Sequence, residues 1–206
     1  MSTEAPQLRL AMKARRATLS ETAISETSNA IAKNLWRLPE MRRARRIGVY
    51  LAAFGEVDCQ PFIDRAWLRG KRTFAPILRR NSLLYAPLRN GSVVTKNRYS
   101  IFEPVCDRRQ LVTTHNLDIV LVPLVAFDSN LNRLGMGGGY YDRSFAFSKT
   151  RQHWKKPRLV GVGYSFQHTA AISTEPWDVP LDRVVTEKEC LPSFCLRPLR
   201  PAINAS

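Results

Sequence analysis

A single α/β domain is the fold this sequence predicts: three layers, α/β/α, around a mostly parallel sheet. Three observations predict it. Short, nearly continuous apolar runs recur at 46–54, 117–127 and 158–166, as in strands buried on both faces. Segments with helical spacing precede or separate them, and strands alternating with helices imply parallel pairing with cover on both sides of the sheet. The chain has 206 residues, 44% of them hydrophobic, which suits one substantial core and favours one domain over two.

The first forty residues read as helical. Leu8 and Met12, then Ile24, Ile31, Leu35 and Leu38, fall at helical spacings; Ser20 supplies an N-cap for the second stretch and Pro39 marks its end. "RIGVYLAAF" (46–54) predicts a buried strand, closed by "GEVD" before the helical "CQPFIDRAWLRG", with Gly70 placed as the C′ residue. "KRTFAPIL" and "SLLYAPL" predict two further strands, in which Pro76 and Pro87 call for bulges, strand ends or edge positions. "LDIVLVPLVAF" (117–127) gives the clearest strand pattern; a polar connection, "DSNLNRLG", a glycine cluster and a helix across "YYDRSFAFSKTRQHW" follow it. "RLVGVGYSF" (158–166) predicts another core strand, so that residues 1–190 form the domain and 191–206, without periodicity, a C-terminal tail.

Thirty-two Lys and Arg against seventeen Asp and Glu give a net charge of +15, a field that attracts nucleotides, phosphates, polycarboxylates or nucleic acid. The basic clusters at Arg15-Arg16, Arg42 to Arg46, Arg79-Arg80 and Arg108-Arg109 each read, taken singly, as a solvated face. There is no RRM, KH or zinc-finger pattern and no basic block, so nucleic acid is not an expected partner. Cys59, Cys106, Cys190 and Cys195 form no C-x-x-C pair, which argues against a zinc cage or a disulfide scaffold and for a reducing, cytoplasmic setting. No run of about 18 apolar residues is present, so no membrane span is expected. His115, His153 and His168 are scattered, without a Ser-His-Asp or Cys-His arrangement.

"LNRLGMGGGYYDR" (131–143) puts four of the ten glycines into five positions. At a strand-to-helix junction on the carboxyl edge of a sheet, successive glycines let main-chain N–H groups converge on an anion, and the following helix adds its positive end. The alternative is a tight turn and nothing more. The run is neither a P-loop nor a dinucleotide fingerprint. Arg133 and Arg143 flank it and can add charge-assisted hydrogen bonds. Asp142 fits either a Mg²⁺ ligand beside phosphates or a first-turn aspartate that favours the helix dipole.

"LVPLVAFDSNLNRLGMGGGYYDR" resembles the signature of the 5-formyltetrahydrofolate cyclo-ligases, the 5,10-methenyltetrahydrofolate synthetase family. "LRLAMKARRATLS", "VYLAAFGEVD", "GKRTFAPIL", "FEP", "VGVGYSFQ" and "EPWDVPLDRVVTE" extend the resemblance, in the family's order, over about residues 8–187. It implies an enzyme that uses ATP as co-substrate and Mg²⁺ to cyclise 5-formyltetrahydrofolate to 5,10-methenyltetrahydrofolate by phosphorylating the formyl oxygen. It also implies nucleotide contacts from Arg9, Lys13 and the run Arg133, Leu134, Gly135, Met136, Gly137, Gly138, Gly139, Tyr140 and Tyr141, with Arg133 and Tyr140 the catalytic candidates. Leu51, Glu56, Met136 and Tyr140 match folate contacts, and Asp142 and Asp178 match the metal-associated aspartates. Read from the residue alone, Glu56 is equally a helix N-terminal charge.

Two positions depart from the pattern. Ala5 stands where relatives commonly carry a lysine four positions before Arg9, and Trp177, which cannot ligate a metal, stands where many have histidine. The partners implied are ATP and 5-formyltetrahydrofolate, whose polyglutamate tails suit the positive surface, with the protein a monomer or weak homodimer. A different phosphotransferase built on the same loop would consume ATP without needing that folate.

Overall fold

The computed structural model describes residues 4–150 and 156–192. Helices α1 (Glu4–Ala17), α2 (Glu21–Arg37) and α3 (Pro39–Arg43) lead into strand β1 (Arg46–Gly48) and helix α4 (Gln60–Leu68). Strands β2 (Arg72–Arg79) and β3 (Ser82–Leu88) form a hairpin, followed by the small β4 (Val94–Lys96) and β5 (Phe102–Pro104) pair. Then come β6 (Ile119–Pro123), the short β7 (Ala126–Phe127) and β8 (Arg133–Leu134), helix α5 (Tyr140–Phe145), β9 (Arg158–Val162), β10 (Arg183–Val185) and β11 (Cys190–Leu191). The main sheet has the order β11-β10-β9-β6-β1-β2-β3, in which β10, β9, β6, β1 and β2 run parallel and β3 and β11 are antiparallel edges.

Local chemistry explains the element ends. The Ser20 side chain accepts from the Ala23 amide and caps α2. Leu38 is extended (φ −65°, ψ 125°), as a residue before proline must be, and Pro39 then opens α3. Gly70, at φ +64°, ends the α4 segment in the left-handed conformation expected of it. The prolines sit at edges: β3 is the outer strand, and Pro76 lies on β2 beyond Phe74, the last residue of β2 in register with β1.

Three readings are shortened. The run 46–54 is strand only to Gly48, with one further bond from the Val49 amide to Phe74 at 2.8 Å, before the chain turns away toward the loop at Gly55. The run 117–127 divides into β6 and β7. The helix across 140–154 is α5 followed by a 3-10 segment at Ala146–Thr150, and residues 151–154 lie outside the described residues. The expected tail lies outside them from 193 on, as do His153 and Cys195.

Two apolar clusters sandwich the sheet. Ile31, Leu35 and Trp36 of α2 with Phe62 and Ile63 of α4 cover one face. The other is covered more thinly, by Phe145 of α5 and by Phe127, Val179 and Leu181 from loops and short strands. Among the described residues no helix is long and apolar enough to cross a membrane, and Cys59 and Cys106 are free thiols. Ser20→Ala should destabilise the domain by about 1 kcal/mol in urea unfolding. An unchanged midpoint would show that the α2 cap contributes nothing.

Candidate active site

The site is built on the carboxyl edge of the parallel strands, and Asp128 organises its centre. This buried carboxylate accepts from the amides of Asn130, Asn132 and Ile172 and from the Asn132 side chain, at 2.9–3.0 Å. Those bonds close the β7–β8 turn and tie it to the segment after β9, so that Arg133 and Leu134 deliver the glycine run at a fixed place. From Gly135 to Gly139 no main-chain amide donates to any protein acceptor among the described residues. Gly137 and Gly139 have φ of +95° and +62°, a region that disfavours any side chain.

Helix α1 lies against this loop. Arg9 Nε donates to Gly135 O at 2.8 Å, and the Arg9 guanidinium carbon is 3.7 Å from where a Cβ on Gly137 would stand. Arg143 closes the other side, donating to Gly138 O at 2.7 Å and to Asn81 O at 2.6 Å. Lys13, Ala17, Phe54, Gly55 and Met136 line a cavity of about 380 Å³ between α1, the loop after β1 and the glycine run. The chain thus brings together Arg9, Lys13, Met136 and the turn that carries Glu56; Leu51 lies at the core's edge on the same segment.

Arg133 and Asp142 meet each other. Arg133 Nη2 is 2.7 Å from Asp142 Oδ1 in a largely buried pair, and the same oxygen accepts from the Val179 amide at 3.1 Å. That last bond draws the Asp178 loop to α5. Asp178 Oδ2 accepts from the Glu175 amide at 2.8 Å. Asp142 Oδ2 and Asp178 Oδ1 therefore remain without hydrogen bonds among the described residues. No group of three or more His, Cys, Asp or Glu that could hold a metal occurs among those residues. One such carboxylate oxygen in the first turn of α5 and one on the loop that Asp142 holds through Val179 suit Mg²⁺, which takes one or two protein oxygens and completes its shell with water and phosphate.

Arg16 overturns the reading of the Arg15-Arg16 cluster as a solvated face. It is 3% exposed; its Nη2 donates to Leu124 O, while Nε and Nη1 are buried without partners. Helical periodicity carried a signal for this: Arg16 is four residues from Met12 and eight from Leu8, on the apolar side of α1. The neighbouring carboxyl of Glu56 accepts from the Ala53 amide at 3.2 Å, yet burial pushes it up to about 7, against the weaker lowering effects of that bond and of Arg16.

Beneath it the titratable groups stay neutral. Burial raises the hydroxyls of Tyr50, Tyr85 and Tyr141 above their ordinary value and the Cys59 thiol to about 12, so Cys59 is no nucleophile near neutrality. Tyr140 differs. Its exposed hydroxyl meets that of Tyr99 at 3.3 Å and receives Arg98 Nη2 at 3.2 Å, and these bonds, Tyr99 first, lower its pKa. The sequence reading had no signal for Arg98 and Tyr99, which approach from the β4–β5 turn about forty residues earlier.

The folded Glu56 carboxyl keeps its proton up to about 7, whereas the unfolded group releases it near 4.5, so native stability should fall as pH rises through that window. Glu56→Gln should abolish that part of the pH dependence in denaturant unfolding. Parallel profiles for both proteins would contradict the buried, proton-holding carboxyl.

The profile of the 5-formyltetrahydrofolate cyclo-ligase family matches residues 1–187. The 5-formyltetrahydrofolate cyclo-ligase of Escherichia coli (strain K12) is 36% identical over 180 residues, covering 85% of this chain and 96% of that protein. Its Haemophilus influenzae counterpart is 32% identical over 180 residues, covering 85% and 93%. Among solved structures, the Aquifex aeolicus 5,10-methenyltetrahydrofolate synthetase superposes with a TM-score of 0.77 at 31% identity, covering 98% of this chain and 99% of that one. A family match over nearly the whole described fold, with full-length relatives above 30% identity, leaves one assignment: the chain belongs to the 5-formyltetrahydrofolate cyclo-ligase family.

Proposed function

We propose that the chain uses ATP and Mg²⁺ to convert 5-formyltetrahydrofolate into 5,10-methenyltetrahydrofolate, with release of ADP and phosphate. The observation that carries this reading is the glycine run: its amides donate to no protein acceptor among the described residues, Arg9 is bonded to its Gly135 carbonyl, and its Met136 lines a cavity together with Lys13. The N-formyl group is an amide, a poor electrophile with a poor leaving group. Transfer of the γ-phosphoryl group to the formyl oxygen forms a P–O bond as the bond to ADP breaks. The neighbouring folate nitrogen then attacks the formyl carbon: a C–N bond forms, the C–O bond breaks, and that nitrogen's proton leaves with the departing phosphate. Such chemistry calls for positioning and charge stabilisation more than for a protein nucleophile, in keeping with a neutral tyrosine and cysteine floor.

The amides of Gly137 to Gly139, with Arg9, Lys13 and Arg143, receive the phosphate oxygens, and the Arg133–Asp142 pair fixes the first turn of α5 beneath them. Asp142 and Asp178 are the residues to hold Mg²⁺, which when bound neutralises phosphate charge. Glu56 accepts pteridine N–H groups, with Leu51 and Met136 as apolar neighbours. Those donors favour the ionised carboxyl, so folate binding releases the proton that burial retains. Tyr140, poised by Arg98 and Tyr99, donates toward charge developing on the formyl and phosphoryl oxygens.

The test is spectroscopic. Full-length protein mixed with ATP, Mg²⁺ and 5-formyltetrahydrofolate should develop the near-ultraviolet absorbance of the methenyl product. Asp142→Asn and Glu56→Ala should each lower kcat/KM about a hundredfold or more. Full activity in both variants would refute the site assignment, and ATP consumption independent of the folate would point to another acceptor.

A further inference from the structure

At the opposite pole of the sheet, where β1 and β2 begin, lies a second concavity of about 590 Å³. Lys33, Arg37, Arg42, Arg65, Arg69 and Lys71 surround it, together with Trp36. These six cations come from α2, α3, α4 and its C-cap, and the residue before β2, so the fold, not one basic stretch of sequence, gathers them. Among the described residues no carboxylate lines the concavity, and none of the six forms an ion pair. The acids nearby in sequence are engaged elsewhere: Glu40 pairs with Arg183, and Asp64 accepts from Gln60.

Like charges held together without counter-ions repel one another, and a multivalent anion relieves that repulsion most effectively. Trp36 adds a more selective feature. It is 9% exposed, and its indole Nε1 is buried without a hydrogen-bond partner. Its ring is already engaged, stacked with Phe62 at 4.9 Å and under the Arg69 guanidinium at 4.8 Å, so the indole is not a free platform for a base or aromatic ligand. Lys71 is held in place by the carbonyls of Arg42 and Ala44, at 2.6 and 2.7 Å, which fixes one charge of the rim. Planar guanidinium donors and fixed ammonium charge suit clustered phosphate oxygens, and Trp36, lining the concavity beside them, reports on its occupancy.

We propose that this concavity is a binding site for a small oligophosphate anion, separate from the nucleotide-binding edge of the sheet. Recognition runs through the phosphates alone.

The test follows the Trp36 indole N–H signal by ¹H–¹⁵N NMR in the full chain, assigned with Trp36→Phe. Tripolyphosphate should shift that signal saturably at constant ionic strength. Arg42→Ser/Arg65→Ser, both exposed and remote from the candidate active site, should weaken the response about tenfold or more while methenyl formation is unchanged. An equal response to ADP assigns the occupant as a nucleotide's phosphate chain; a response to tripolyphosphate alone assigns the inorganic anion. No shift at millimolar tripolyphosphate, an equal shift with sulfate, an unaltered response in the double variant, or tighter binding of an oligonucleotide duplex would each overturn the proposal.

Discussion

A guanidinium buried against one main-chain carbonyl turns the carboxyl edge of this sheet into a pocket. Arg16 reaches from α1 to Leu124 O, just beyond β6, and two turns earlier on the same face Arg9 reaches Gly135 O. These two contacts dock α1 over the glycine run and the Gly55–Glu56 turn. Gly55 has no side chain where α1 comes closest: a Cβ there would stand 3.1 Å from Arg16 Cβ. Remove the docking and the cavity has no wall.

Electrostatics follows from that enclosure. A carboxyl, three tyrosines and a thiol share a space that water reaches poorly, so each holds its proton. The uncompensated donors of Arg16 and the buried Nε of Arg133 have the opposite character, being hydrogen-bond capacity with no protein acceptor. Buried donors left without partners destabilise a fold by about 1–3 kcal/mol each, and sites that tolerate this are commonly completed by a ligand's oxygens. The same enclosure would strengthen each contact to a phosphate or a formyl oxygen.

The parts written locally in the chain were legible in its sequence. Ser20, Pro39 and Gly70 act within a few residues, and the glycine run needs only its own backbone freedom. The β-hairpin prolines were readable for the same reason. What the sequence did not disclose depends on chain segments meeting. The Arg133–Asp142 pair requires the β7–β8 turn to place a strand residue beside the first turn of α5, and Asp128 sets that turn through bonds reaching to Ile172. Arg16 looked like one more basic surface residue because its burial is decided by Leu124 and Gly55. The run at 46–54 read as a full strand because apolar content persists after pairing stops: past Val49 only Tyr50 is buried, Leu51 to Ala53 are half-buried, and Phe54 is exposed on the wall of the cavity.

The central claim is that main-chain amides of the glycine run are the phosphate ligands. Amide hydrogen exchange at Gly137, Gly138 and Gly139, measured with and without ATP and Mg²⁺, tests it most directly. The account predicts fast exchange in the free protein and marked protection when nucleotide is bound. Amides already protected in the free protein, or equally unprotected with saturating nucleotide, would contradict it.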